Sequence, residues 1–248
     1  MLGKLSEKFA APASYDRRVW AAALLSFLIG FLLLPLFAYF LPEKYRFLRG
    51  ILAAAGPIAG ALLLIIAMFL CAGSIRAMLN ALDMHRIPQW FIFAALPLAL
   101  GITLCGGCIT VIWQSVAAHY GWTFEAPVTE EIALRGSNVQ VMWLTVSALL
   151  TAPFYEEILF RKAVFEFSRR WCGLIAALLI APLVFAAMHA SLLQLPGLFF
   201  LALVWQLIYL FTRNLGVTMI LHFCNNLFAV TALLAGRYGG SLGKITEF

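Results

Sequence analysis

Charge is what this sequence has least of. Only 11% of its residues are Asp, Glu, Lys or Arg and 64% are hydrophobic, whereas a soluble domain is nearer a quarter charged and half apolar. That balance excludes an ordinary soluble domain. There is no low-complexity segment and no internal repeat of the kind that marks many transporters. The five cysteines, Cys71, Cys105, Cys108, Cys172 and Cys224, are odd in number and all lie in or beside apolar runs, which argues against a disulfide framework. No HExxH is present, so the usual zincin geometry is absent. No Asn-x-Ser/Thr sequon is present either, which favours a bacterial inner membrane over an endoplasmic reticulum as its home.

What is present is apolar sequence gathered into runs of about 20 residues, the length that crosses ~30 Å of hydrocarbon at 1.5 Å per residue. The spans read as 20–41, 51–73, 90–118, 139–165, 172–191, 195–211 and 216–235. The expected fold is an all-α polytopic membrane protein, a bundle of about seven to eight transmembrane helices. The higher number applies if Pro153 breaks the long fourth span. The first run, Trp20 to Leu41, is too long for a signal-peptide core and reads as a retained span. Trp20, Trp90 and Trp171 stand at span starts, where amphipathic rings favour the headgroup region. The expected organisation is an N-terminal tail over 1–19, a transmembrane domain over 20–235 with its catalytic core in 139–235, and a C-terminal tail over 236–248.

The formal net charge of +6 does not point to nucleic acid, because the 17 Lys and Arg sit mainly in short connections. That is orientation chemistry. With the N-terminus cytoplasmic, 11 of them fall on the inner side and 6 on the outer, so this orientation is favoured. The one lengthy polar connection, 119–138, is a candidate lid or surface loop.

Ionisable residues inside such spans are functional candidates by default. The fourth span carries Glu156-Glu157 followed by Arg161. Glu157 and Arg161 stand four residues apart on one helical face and can pair. Glu156 points about 100° away and lacks that partner. An unpaired carboxylate in an apolar setting is the kind of group that acts as a general base. A buried ion network holding helices together is the plainer alternative, chiefly for Glu157 and Arg161. The fifth span ends with Phe185 and His189, a natural proton shuttle or a packing residue. The seventh carries His222 and Asn226, four residues apart, so that both aim at one point. Two neutral donors so placed suit an oxyanion, or an interhelical polar clamp.

Taken in order, Glu156-Glu157 with Arg161, Phe185 with His189, and His222 with Asn226 resemble the three motifs of the CPBP family of intramembrane proteases, also called Abi. That family includes the type II CAAX prenyl endopeptidase and proteins of bacteriocin processing and immunity. The resemblance covers about 80 residues, Ala152 to Leu233. It departs from the pattern at Lys162, where a small residue commonly follows the Arg. It implies an intramembrane endopeptidase acting on a membrane-associated peptide or lipidated protein. Glu156, assisted by His189, would activate water, and His222 and Asn226 would stabilise the oxyanion. Glu157, Arg161 and Phe185 would support the site. No cofactor is expected; the alternative is zinc on Glu156, His189 and His222. A different class is also open: a non-catalytic transporter, immunity factor or scaffold that binds through the same polar cluster. On straight helices the three residues do not align, with Glu156 near mid-membrane, His222 in the inner half and His189 in the outer half.

Three further patterns read as structural. Glu130-Glu131 with Arg135 repeats the EExxxR spacing, but it lies in the polar 119–138 connection and reads as a solvated face. Cys105-Gly106-Gly107-Cys108 spells CxxC inside the third span, where glycines favour close helix packing. Gly56 and Gly60 form a GxxxG, again for packing. His85 and His119 lie in connections and read as surface histidines.

Overall fold

The structure is a computed structural model that describes residues 25–26, 28–34, 37, 40–72 and 74–242. Ten of the 22 residues of the first expected span and the whole 1–19 tail lie outside the described residues. The described chain is helical, with no strand. A π-helical stretch, Leu28–Leu33, precedes α1 (Arg46–Ala72) and the short α2 (Ile75–Ala81). Then come α3 (Gln89–His119) and the short α4 (Val128–Arg135). The helix Asn138–Met188 follows as one run of 51 residues. It divides at Gly173, whose φ of 81° and ψ of 173° are not helical, into α5 (138–172) and α6 (174–188). The chain closes with α7 (Leu195–Thr212) and α8 (Leu215–Leu242).

Among the described residues four helices are long and apolar enough to cross a membrane, or five if the bent pair Ile58–Leu70 and Ile75–Ala81 is one span. The 51-residue run would be roughly 77 Å long if straight, more than twice the hydrocarbon thickness. The break at Gly173 therefore lets it supply two of the expected passes. Pro153 does not end the fourth span. The chain passes through it as helix, with π-helical turns on either side, Ser147–Thr151 and Ile158–Val164. A π turn absorbs the missing amide hydrogen that would break a straight α-helix. The last helix runs past 235 to Leu242.

The molecule exposes large apolar side chains and buries several charged and polar ones within its apolar core. Phe93, Leu70, Trp90 and Phe211 are exposed, whereas Glu157, Arg161 and Gln206 are wholly buried. That inversion of the soluble pattern is the signature of a lipid-facing bundle. α7 packs between α6 and α3, and α8 packs on α3 and α5. The α3–α7 crossing is tight at Gly106 and Gly197. A Cβ at Gly197 would meet the Thr110 side chain and come within 2.7 Å of the Gly106 carbonyl. Gly106 belongs to the CxxC, whose Cys105 and Cys108 are free and exposed. Gly56 and Gly60 likewise meet Gly30 at backbone distance.

The 119–138 connection is not loop throughout. α4 occupies its second half, and Arg237 of α8 pins it by donating to the Ala133 carbonyl at 2.9 Å and to Asn138 Oδ1 at 3.1 Å. Ser137 then opens α5 with a capping box to Gln140. At the opposite end the α2–α3 turn is tied to the α7–α8 turn. The Leu215 amide donates to the Asp83 carbonyl at 3.0 Å, and Asn214 Nδ2 donates to the His85 carbonyl at 3.2 Å.

Candidate active site

The two glutamates sit in the short α-helical piece Ala152–Glu157 between the π turns of α5. Their side chains meet different environments. Glu157 is wholly buried and faces Arg161 one turn on. Arg161 Nε donates to its Oε2 at 3.0 Å, and Nη2 donates to its Oε1 at 3.3 Å. This is the two-pronged geometry that makes Arg–carboxylate pairs strong. Arg161 also donates from Nη1 to Gln206 Oε1 of α7 at 3.3 Å. A carboxylate cannot donate, so His222 Nδ1, 3.1 Å from Glu157 Oε1, carries the hydrogen. Glu157 thus joins α5 to α8.

His222 is 3% exposed and is held from several sides. Its other nitrogen, Nε2, faces Glu156 Oε2 at 3.8 Å. Trp205 of α7 stacks on its ring, with centroids 4.6 Å apart and planes 27° from parallel. Phe185 of α6 approaches edge-on at 6.1 Å. Glu156 is the exception in this network. Its Oε2 is buried and has no hydrogen-bond partner among the described residues, although the side chain retains 17% exposure.

Phe185 is the hub on which both histidines lean. Its ring lies 4.8 Å from that of His189, 5.0 Å from Phe160 and 5.8 Å from the Arg161 guanidinium. His189 caps α6, with Nδ1 2.9 Å from the Phe185 carbonyl. A carbonyl only accepts, so Nδ1 carries the hydrogen and Nε2 is the free nitrogen. Among the described residues no ion pair or hydrogen bond joins His189 to Glu156, and His189 is exposed.

Asn226 donates from Nδ2 to the Ala148 carbonyl of the first π turn at 2.8 Å. Its Oδ1 accepts from Asn225 Nδ2 at 3.3 Å, and Asn225 Oδ1 accepts from Thr103 of α3 at 2.8 Å. The structure therefore brings Glu156, Glu157, Arg161, Phe185 and His222 together. It ties Asn226 to α5 one π turn away and leaves His189 on the far side of Phe185. Among the described residues no group of three or more His, Cys, Asp or Glu is placed to hold a metal ion. Glu156, His189 and His222 accordingly do not form one ligand set.

Straight-helix reckoning put Glu156 and His222 at different depths, yet they face each other. His222 lies seven residues into α8, roughly 10 Å along its axis from Leu215. Three participants went unread in the sequence. Gln206 carried the same signal as the glutamates, a polar side chain inside the apolar run LPGLFFLALVWQLIYLFT. Trp205 stands mid-span rather than at a headgroup boundary. Asp83 gave no signal at all, although its carboxylate accepts from Lys162 Nζ at 2.6 Å and from the Tyr209 hydroxyl at 2.7 Å. Lys162, the departure from the motif, is thereby partnered.

The EExxxR repeat at Glu130, Glu131 and Arg135 lies on α4, away from this cluster, with Glu131 and Arg135 exposed. His85 and His119 are exposed as well.

Comparison with known proteins bears on the same segment. Residues 138–228 match the family profile described as type II CAAX prenyl endopeptidase Rce1-like, a stretch that contains all three motifs. The chain is 28% identical over 155 residues to the membrane-embedded CAAX protease MroQ of Staphylococcus aureus (strain USA300). That match covers 58% of this chain and 61% of MroQ, under two thirds of that protein's length. No solved structure matches the chain. With the profile and the relative agreeing with the motif order and with an all-helical, lipid-facing bundle, the chain is an integral membrane protein whose residues 138–228 are similar to the type II CAAX prenyl endopeptidases of the CPBP, or CAAX protease, family.

Proposed function

We propose that the protein is an intramembrane endopeptidase of the glutamate type, cutting a peptide bond in a membrane-associated peptide or lipidated protein. The observation that carries this reading is the pair formed by Glu156 Oε2, buried without a hydrogen-bond partner among the described residues, and His222 Nε2, 3.8 Å away. That separation is long for a direct hydrogen bond and suits two groups that share a water lying beside them.

In the reaction, Glu156 takes a proton from the water as its oxygen attacks the scissile carbonyl carbon. Negative charge then develops on the carbonyl oxygen. His222, as the imidazolium with Glu157 and Arg161 behind its Nδ1, donates its Nε2 hydrogen to that charge, and Asn226 offers the remaining hydrogen of its amide. The proton passes from Glu156 to the leaving nitrogen. The C–N bond breaks, giving a carboxylic acid and an amine. No step uses a metal, and no cofactor is assigned. The site's position, roughly 10 Å in from the α7–α8 turn, calls for a substrate segment that enters the bundle beside α5 and α8. The excess of Lys and Arg on one set of connections favours a cytoplasmic N-terminus, and the lack of an Asn-x-Ser/Thr sequon favours a bacterial inner membrane.

The test is hydrolysis of a peptide library, prenylated peptides included, by purified wild type and Glu156→Gln in lipid nanodiscs, with and without chelator. Cleavage that survives chelation and disappears in Glu156→Gln supports the proposal. Cleavage abolished by chelator and restored by zinc would replace it with metal chemistry. A folded wild type that cuts nothing would favour a binding or immunity role for the same cluster.

A further inference from the structure

α7 carries none of the three motifs, yet it lies against both halves of the polar cluster. Gln206 accepts from Arg161, and Trp205 stacks on His222. We infer that Trp205 is a positioning residue, which sets the plane of the His222 imidazole so that Nε2 addresses the space beside Glu156. This rests on the reading of Glu156 and His222 as the reacting pair.

The His222 ring turns about its Cβ–Cγ bond, and that torsion is broad and soft for an aromatic side chain. Glu157 restrains one nitrogen at 3.1 Å, but a single hydrogen bond leaves the ring free to swing about it. A flat indole at 4.6 Å and 27° removes that swing. Phe185, edge-on to His222 at 68° and to Trp205 at 85°, closes the stack from the side. Trp205 is 1% exposed, and its indole nitrogen has no hydrogen-bond partner among the described residues. The contact is therefore made by the ring face, and any planar aromatic of adequate size should reproduce it.

That last point makes the inference testable with two variants of similar bulk. Trp205→Phe keeps a flat face, and Trp205→Met fills the space without one. Both would be measured in nanodiscs on whichever peptide the wild type cleaves. We expect Trp205→Phe to stay within about threefold of the wild-type kcat, and Trp205→Met to lose on the order of 10- to 100-fold with KM little changed, the pattern of misplaced chemistry rather than lost binding. A Trp205→Met enzyme with wild-type kcat would overturn the inference, as would equal losses in both variants or a loss confined to KM. NMR of ring-labelled histidine supplies a readout independent of turnover. The His222 ring signals should carry the aromatic ring-current displacement in wild type and Trp205→Phe and lose it in Trp205→Met. An unchanged His222 signal in Trp205→Met would refute the stack, whereas an inactive wild type with the displacement present would sink the protease reading instead.

Discussion

The buried pair of Glu157 and Arg161 makes the sharpest energetic prediction. Both side chains are wholly buried, and between them they involve α5, α7 and α8 through Gln206 and His222. Replacing Glu157 by Gln removes the negative charge but leaves the guanidinium in a low-dielectric interior. Replacing Arg161 by Leu strands the carboxylate. Either single change should cost about 3–5 kcal/mol, because an uncompensated buried charge is what the structure cannot solvate. Removing both charges together, as Glu157→Gln with Arg161→Leu, should cost well under the sum, because nothing charged is left behind. The assay is reversible unfolding of nanodisc or micelle samples followed by tryptophan fluorescence, run as a double-mutant cycle. Single variants that lose less than about 1 kcal/mol, or costs that simply add, would refute the reasoning. The first result would mean that the pair is solvated, the second that the two groups do not depend on each other.

Other substitutions separate the remaining roles. Glu156→Gln should abolish cleavage while leaving the unfolding midpoint close to wild type, because Oε2 has no hydrogen bond to lose among the described residues; a large destabilisation would make Glu156 structural. Asn226→Leu removes the bond to the Ala148 carbonyl and should cost about 0.6–2 kcal/mol, the usual worth of an interhelical polar contact in a membrane, read from the same unfolding curves. Gly197→Ala drives a Cβ against Thr110 and the Gly106 carbonyl, so it should destabilise by about 1–3 kcal/mol through overpacking. No measurable change there would mean that α3 and α7 separate easily. Asp83→Ala leaves Lys162 and Tyr209 without their shared carboxylate and should raise the rate of limited proteolysis in the α2–α3 turn, whereas an unchanged rate would show that the turn is held elsewhere.

The legible part of this protein was the local part. Hydropathy runs of 20 residues are set by the bilayer, so the spans could be placed within a few residues for α3, α7 and the start of α8. The i, i+4 spacing of Glu157 and Arg161 needs only one helix, and these two residues pair within α5. What could not be read was which faces of different helices meet. Glu157 with His222 spans 65 positions, and Asp83 with Tyr209 spans 126. Periodicity carries no information on such pairs. At Pro153, where the sequence predicts a kink or a break, the chain continues as helix. The π turns around it spread the lost hydrogen bond over two turns and rotate the register of everything that follows.

Two adjacent glutamates solve a problem that one could not. A buried carboxylate in a bundle needs partners to be tolerated, but a general base must keep an oxygen free for its substrate. Glu157 spends both oxygens on Arg161 and His222, which secures the helices and fixes the imidazole. Glu156, turned about 100° from it by helical geometry, keeps Oε2 uncommitted while its neighbour holds His222 at 3.8 Å. On the proposed mechanism the structural and reactive demands fall on different side chains, joined by one peptide unit, so the oxygen proposed to react needs no ion pair of its own. On this account an exchange of duties is impossible. Moving the free carboxylate to position 157 would break the pair that orients His222, and no substitution at 156 could repair it.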